Sequence, residues 1–251
     1  MVNKKIILFI SFILLNLNFY AQQSATYTNS LVDYQKALTL YNNKQYLAAQ
    51  SMFDKIKDAT DNEQLESDCS YYYANCAVRL NQQNADALIE DFVETYPTST
   101  KRNTAFLDVA DYYFDNAKYA YARKWYEKVD ENSISRAERD KFSFNYGYSL
   151  YSTKDEKGAQ KYLNRVVNSK EYGSEAKYYI GFMAYEGDDY DKANEYFEQV
   201  SDEEKYKEKL SYYQADLNFK LGNFEKAIAL AKEQLPKSDA NEKSELSKII
   251  G

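Results

Sequence analysis

From about residue 30 onward, apolar side chains recur every three or four positions, the spacing that lines one face of an α-helix. A longer period is laid over this one. A small residue is followed twelve positions later by Ala in five places: Ala37 and Ala49, Ala110 and Ala122, Gly147 and Ala159, Gly181 and Ala193, Ala215 and Ala227. Four residues beyond the Ala stands a bulky side chain, Phe53, Tyr126, Leu163 or Phe197, and three further on Ile56, Val129, Val166 or Val200. Three residues before the Ala stands Tyr46, Tyr119, Tyr190 or Phe224. The pattern predicts helical hairpins. The small residue and the Ala mark where two backbones press closest, because a larger side chain would force the helices apart. The bulky residues lie one and two turns along the same face and are expected to pack against the next hairpin. Turn formers stand between the helices: Asn42-Asn43, Asp115-Asn116, the run from Glu186 to Asp189, and Gly222-Asn223.

A small residue in a first helix, with A-x3-F in the second, resembles the tetratricopeptide repeat. The segments 106–129 and 178–200 match best, and a weaker copy stands at 66–99 with Ala85 as its second-helix small residue. The resemblance implies an all-α fold, a right-handed superhelical solenoid of antiparallel helix pairs, with about six repeats over residues 30–241. Three copies depart from the pattern. Twelve residues back from Ala85 lies Tyr73, the fourth copy has Glu156 in the aromatic slot, and the sixth has Ala231 and Gln234 in the bulky slots. The segment 86–100, with Tyr96-Pro97 closing a hairpin, is similar to repeats of bacterial envelope proteins of the outer-membrane assembly and Tol-Pal type. Residues 242–251 look like the first half of a truncated seventh repeat, so fraying is expected from about Asp239 on, and the chain reads as a piece of a longer protein.

Ahead of the repeats the chain changes character. Lys4 and Lys5 precede an apolar run from Ile6 to Leu17, and Ala21 offers a small residue at the cut. The pattern predicts a signal peptide over residues 1–21, since the run is too short for a comfortable transmembrane span; the alternative reading is a retained membrane anchor. The expected protein is therefore exported to the periplasm, without direct membrane insertion after cleavage. Those 21 residues carry two lysines and no acids, so the formal charge of -7 becomes -9 on removal. That acidity argues against nucleic acid as a partner. The sequence has no His, which removes His-based acid–base chemistry and His-ligated metal sites. Cys69 and Cys76, if on one helix, would stand roughly 10.5 Å apart, beyond the ~7 Å reach of a disulfide.

No catalytic motif, cofactor site or metal site is read from the sequence, and the protein is expected not to be an enzyme. The unusual feature is 27 tyrosines. Some fill core slots. Others recur at spacings of three, four or seven on the first helices: Tyr34 and Tyr41, Tyr71 and Tyr72, Phe144, Tyr148 and Tyr151, Tyr178, Phe182 and Tyr185, Tyr212 and Phe219. One reading of these rings is packing against neighbouring hairpins. In tetratricopeptide proteins the first helices line the concave surface, so the resemblance implies a partner-binding groove along this stripe. Its expected centre is Tyr148, Tyr151, Tyr178, Phe182 and Tyr185, where large rings give contact area with hydroxyls at the rim. The function expected is a non-enzymatic scaffold or adaptor binding protein partners of the cell envelope. The alternatives are a carbohydrate-binding module, because rings also stack on sugars, and a regulatory arm of a longer protein.

Overall fold

All regular structure among the described residues, 29–251 of a computed structural model, is helical. The expected signal peptide, residues 1–21, lies outside them. Six helix pairs follow one another. They are α1 (29–42) with α2 (Tyr46–Ala59), α3 (Glu63–Arg79) with α4 (Ala85–Thr95), and α5 (Arg102–Asp115) with α6 (Tyr119–Tyr126). Then come α7 (Arg139–Ser152) with α8 (Glu156–Leu163), α9 (Gly173–Glu186) with α10 (Tyr190–Glu198), and α11 (Glu204–Lys220) with α12 (Phe224–Gln234). A last helix, α13 (Ala240–Ile250), closes the described chain. The chain divides into two units: residues up to Tyr112 with Val129–Ser133, and Tyr113–Lys128 with Ile134–Gly251.

Five of the six pairs are joined by a three-residue turn of one geometry. Its second residue is left-handed: Lys44, Ala117, Lys154, Asp188 and Gly222 all have φ between 55° and 78°. Each turn carries the same two backbone bonds, as in Lys44 N to Tyr41 O and Gln45 N to Leu40 O, both 2.9 Å. These satisfy carbonyls that the helix end would leave orphaned. Because the turn length is fixed, the small residue always stands five positions before the end of the first helix and the Ala fourth in the second. That geometry generates the twelve-residue spacing. All ten residues of the five pairs are buried. At Gly181 an added β-carbon would lie 2.5 Å from Phe197 Cε1, and at Gly147 2.9 Å from Leu163 Cγ.

The pair α3/α4 corrects the reading of its copy. Its turn has five residues, 80–84, although Asn81 keeps the left-handed position. The small residue of α3 is therefore Ala74, five before the helix end and buried, not Tyr73. Ala85 opens α4 rather than sitting fourth in it, yet it is buried and keeps the expected bulky residues, Ile89 four and Phe92 seven positions further on, so it remains the small residue, eleven positions after Ala74.

The bulky residues pack forward onto the next hairpin. In the first unit Phe53 and Ile56 of α2 share a core cluster with Leu65, Cys69 and Cys76 of α3. In the second, Phe197 and Val200 cluster with Tyr206, Leu210 and Leu217 of α11. Both cysteines are free and buried, and burial pushes their thiols up to about 12. The segment expected to fray from Asp239 on is helical to Ile250. Asp239 caps α13 by accepting from Asn241 N and Glu242 N at 2.9 Å, and Leu246 and Ile249 are buried against Ala215, Ala227 and Ala231. The departure at Ala231 is thus a fit, since a small residue there leaves room for the next helix.

Candidate functional site

In the second unit the first-helix aromatics form one connected strip. Tyr148 and Tyr151 are three apart on α7; Tyr178, Phe182 and Tyr185 are four and three apart on α9, so each set shares a helix face. Within helices the rings touch, Tyr178 and Phe182 with centroids 4.8 Å apart. Between helices the strip runs through two tyrosines that the periodicity reading did not single out. Tyr179 of α9 meets Tyr148 at 4.8 Å and Tyr151 at 5.2 Å. Tyr213 of α11 meets Phe182 at 4.6 Å and Tyr185 at 5.3 Å. Tyr178 also stacks on Tyr206 at 4.9 Å. All five expected site residues are half-buried, as are Tyr179 and Tyr213. Phe144 departs from the stripe reading, being buried. At the other extreme Phe219 is exposed, with Phe224 beside it at 5.7 Å.

Carboxylates interleave with the rings, usually from the next first helix along. Tyr185 Oη donates to Asp216 Oδ2 of α11 at 2.5 Å. Asp216 also holds Lys220 Nζ at 3.0 Å, and that ammonium lies 4.7 Å from the Tyr185 ring and 4.6 Å from the Tyr190 ring. Burial and the Asp216 hydrogen bond keep the Tyr185 hydroxyl well above the ordinary tyrosine range. Burial, then the nearby Glu186 carboxylate, pushes Tyr151 up to about 12. Tyr213 is raised by burial and then by Glu242 and Glu186. These hydroxyls are therefore neutral at physiological pH, and that of Tyr185 gives its one donor to Asp216.

The first unit repeats the theme. Tyr71 donates to Asp108 of α5, and burial raises both groups. The Arg79 guanidinium lies 5.1 Å from the Tyr41 ring and 5.0 Å from Tyr112, and Arg79 Nη1 donates to Asn75 Oδ1 at 2.8 Å. Lys101 lies 5.5 Å from Tyr71 and 5.4 Å from Tyr72. Among the described residues no group of three or more metal-ligating side chains comes together.

The sequence model of the tetratricopeptide repeat matches residues 68–99, on α3 and α4, and 175–204, on α9 and α10. Two helix pairs of the chain thus match the tetratricopeptide repeat. The copy with the enlarged turn is one of the two matched. Similar solved structures agree on the fold. The C-terminal part of a TPR repeat-containing protein from Cytophaga hutchinsonii is 16% identical with a TM-score of 0.64, over 94% of this chain and 97% of that one. A tetratricopeptide repeat protein from Parabacteroides merdae is 14% identical with a TM-score of 0.53, over 84% and 80%. The pilF protein of Pseudomonas aeruginosa is 11% identical with a TM-score of 0.53, over 90% and 99%. No curated protein matches in sequence.

Proposed function

We propose that this tetratricopeptide chain is a non-enzymatic scaffold or adaptor of the bacterial periplasm that holds a segment of a partner protein along the aromatic face of its second unit. The observation that carries the reading is the strip from Tyr148 through Tyr179 and Phe182 to Tyr213. Its rings brace one another at centroid distances of 4.6–5.3 Å while staying half-exposed. Rings already fixed by their neighbours lose little freedom on binding, so contact area converts to affinity with a small ordering cost. Tyr178, Phe182, Tyr185 and Tyr213 rest on the buried core of their hairpins, and the part of each ring left exposed is what a partner would meet.

The envelope setting is supported by Lys4-Lys5 with the apolar run behind them, and by the likeness of the 86–100 segment to envelope-assembly repeats. Two experiments test the proposal. A photo-crosslinking amino acid at Tyr179 should trap a protein from the envelope fraction, whereas one at Glu225 on α12 should trap none; equal trapping at both positions would count against the strip. Mass spectrometry of the native protein should find an N-terminus between Gln22 and Ala25, and an intact Met1 would refute export.

A further inference from the structure

A cavity of about 250 Å³ opens in the first unit, between the first turns of α3 and the loop that joins α4 to α5. Glu63, Gln64 and Ser67 line it from α3, and Tyr96, Thr98 and Ser99 from the loop. Ser67 and Ser99 are buried and form its floor, whereas Glu63, Gln64 and Thr98 are exposed and form its rim. The loop wall is held in place. Tyr96 Oη donates to Glu66 Oε1 at 2.9 Å and accepts from Ser70 Oγ at 3.2 Å. The Tyr96 carbonyl accepts from Ser99 N at 3.1 Å, and Ser99 Oγ accepts from Lys101 N at 3.3 Å.

The floor holds an unpaired hydroxyl. Ser67 is 3% exposed, and its Oγ has no hydrogen-bond partner among the described residues. A helical serine commonly donates to the carbonyl four residues back, as Ser149, Ser211 and Ser247 do here at 2.6–2.8 Å. Ser67 does not, and a buried hydroxyl left unpaired costs stability. At the rim, the Glu63 carboxylate and the Thr98 hydroxyl hold no hydrogen bond or ion pair among the described residues.

The lining selects the occupant. Glu63 disfavours an anion and no Lys or Arg lines the cavity, while the positive N-terminal end of α3 disfavours a cation. A neutral ligand satisfies both. The Ser and Thr hydroxyls each donate and accept, as sugar hydroxyls do. The carboxylate accepts from two donors at once, which a pair of adjacent sugar hydroxyls supplies and a peptide amide, with one N–H, does not. The volume lies below the roughly 300–1,000 Å³ of sites for drug-sized ligands, the scale of one sugar ring.

We propose that this cavity binds a single neutral hexose unit. Glu63 holds two adjacent hydroxyls, Ser67 pairs with one at the floor, and Tyr96 supplies the apolar contact. The site is separate from the aromatic strip and does not depend on the scaffold reading.

The test is saturation-transfer NMR on the purified chain with the methyl glycosides of glucose, galactose and mannose, beside glucose 6-phosphate and glucosamine as charged counterparts. At least one methyl hexoside should bind in the millimolar range, where a small ligand's few contacts place its affinity, and neither charged sugar should bind more tightly. Ser67→Ala should weaken that binding about fivefold or more. The same variant without sugar should melt no lower than the parent, because it loses an unpaired buried group. Glu63→Gln should weaken binding as well, while Glu94→Gln, exposed on α4 outside the cavity, should leave it unchanged. Should Ser67→Ala fail to fold, Glu63→Gln carries the same test. Absence of binding by all three hexosides, tighter binding of a charged sugar, or a loss in Glu63→Gln no larger than in Glu94→Gln would overturn the site.

Discussion

Tyr185 and Asp216 lie 31 residues apart in sequence and 2.5 Å apart in space, the phenol of α9 donating to the carboxylate of α11. The bond ties two successive first helices together on the aromatic face. Asp216 is 16% exposed and keeps Lys220 as a second partner, so removing the phenol oxygen leaves a carboxylate that is still paired. Tyr185→Phe should therefore lower stability by about 1.5 kcal/mol, the usual cost of losing a hydrogen bond to a charged group. Urea unfolding followed by circular dichroism checks it, and an unchanged midpoint would mean the bond contributes nothing.

Gly181 tests the closest approach within a hairpin. Because its β-carbon would stand 2.5 Å from a ring carbon of Phe197, even Gly181→Ala should cost about 1–3 kcal/mol, and Gly181→Leu more. Asp189, which the sequence alone places at a solvated turn, caps α10 by accepting from Lys192 N at 3.3 Å. Asp189→Leu should thus cost about 1 kcal/mol rather than nothing. Equal melting temperatures for Gly181→Leu and Asp189→Leu would contradict the packing.

The left-handed turn positions give a prediction of opposite sign. Ala117 has φ 55° and Gly222 φ 78°. Ala117→Gly should stabilise by about 0.5–1 kcal/mol, because relief of the left-handed penalty exceeds the added chain entropy of glycine. Gly222→Ala should destabilise by about 1 kcal/mol; nothing lies within 4 Å of its added β-carbon, so the loss is purely of backbone origin. Thermal melts of the two variants should move in opposite directions, and a shared direction would refute the turn assignment.

Alkaline titration should couple to unfolding. Tyr71, Tyr151, Tyr185 and Tyr213 are all raised above the ordinary tyrosine value of 10.0, first by burial. A group raised in the folded state binds its proton more tightly there than in the unfolded chain. Its contribution is therefore complete below pH 10 and is lost as pH rises through about 12, where Tyr151 ionises. Tyrosinate absorbance and loss of helical circular dichroism should rise together above pH 10. Ionisation of most tyrosines near pH 10 in a protein that stays helical would contradict it.

Much of the fold is legible in the sequence because one local rule, the three-residue turn, keeps the small residue and the Ala twelve positions apart. Where the turn lengthens, between α3 and α4, the same rule points back from Ala85 to Tyr73 in place of Ala74, which stands eleven positions before it. The turn geometry itself is silent in sequence, since only Gly222 among the six left-handed positions is glycine. On the aromatic face, spacing picks out Tyr148, Tyr151, Tyr178, Phe182 and Tyr185. It passes over Tyr179 and Tyr213, each adjacent in sequence to a residue already on the stripe. Their role depends on contacts between helices, as does the bond from Tyr185 to Asp216, and a single helix's periodicity carries no record of such contacts. The mutual spacing of Tyr179, Phe182 and Glu186, at three and four, is the signal that would have recovered the first of them.

The central claim, that the strip is a binding face and not only packing, is tested most directly at Tyr151. Its hydroxyl has no hydrogen-bond partner among the described residues and its ring is half-buried, so truncation there disturbs the fold less than at Tyr185, which holds Asp216. The measurement is paired: melting temperature of Tyr151→Ala, and capture of the envelope protein trapped by the Tyr179 crosslinker. The account predicts a melting temperature close to that of the parent and capture weakened by about 2 kcal/mol or more, roughly thirtyfold. A sharp fall in melting with capture intact in the remaining folded protein would show that the ring serves packing alone.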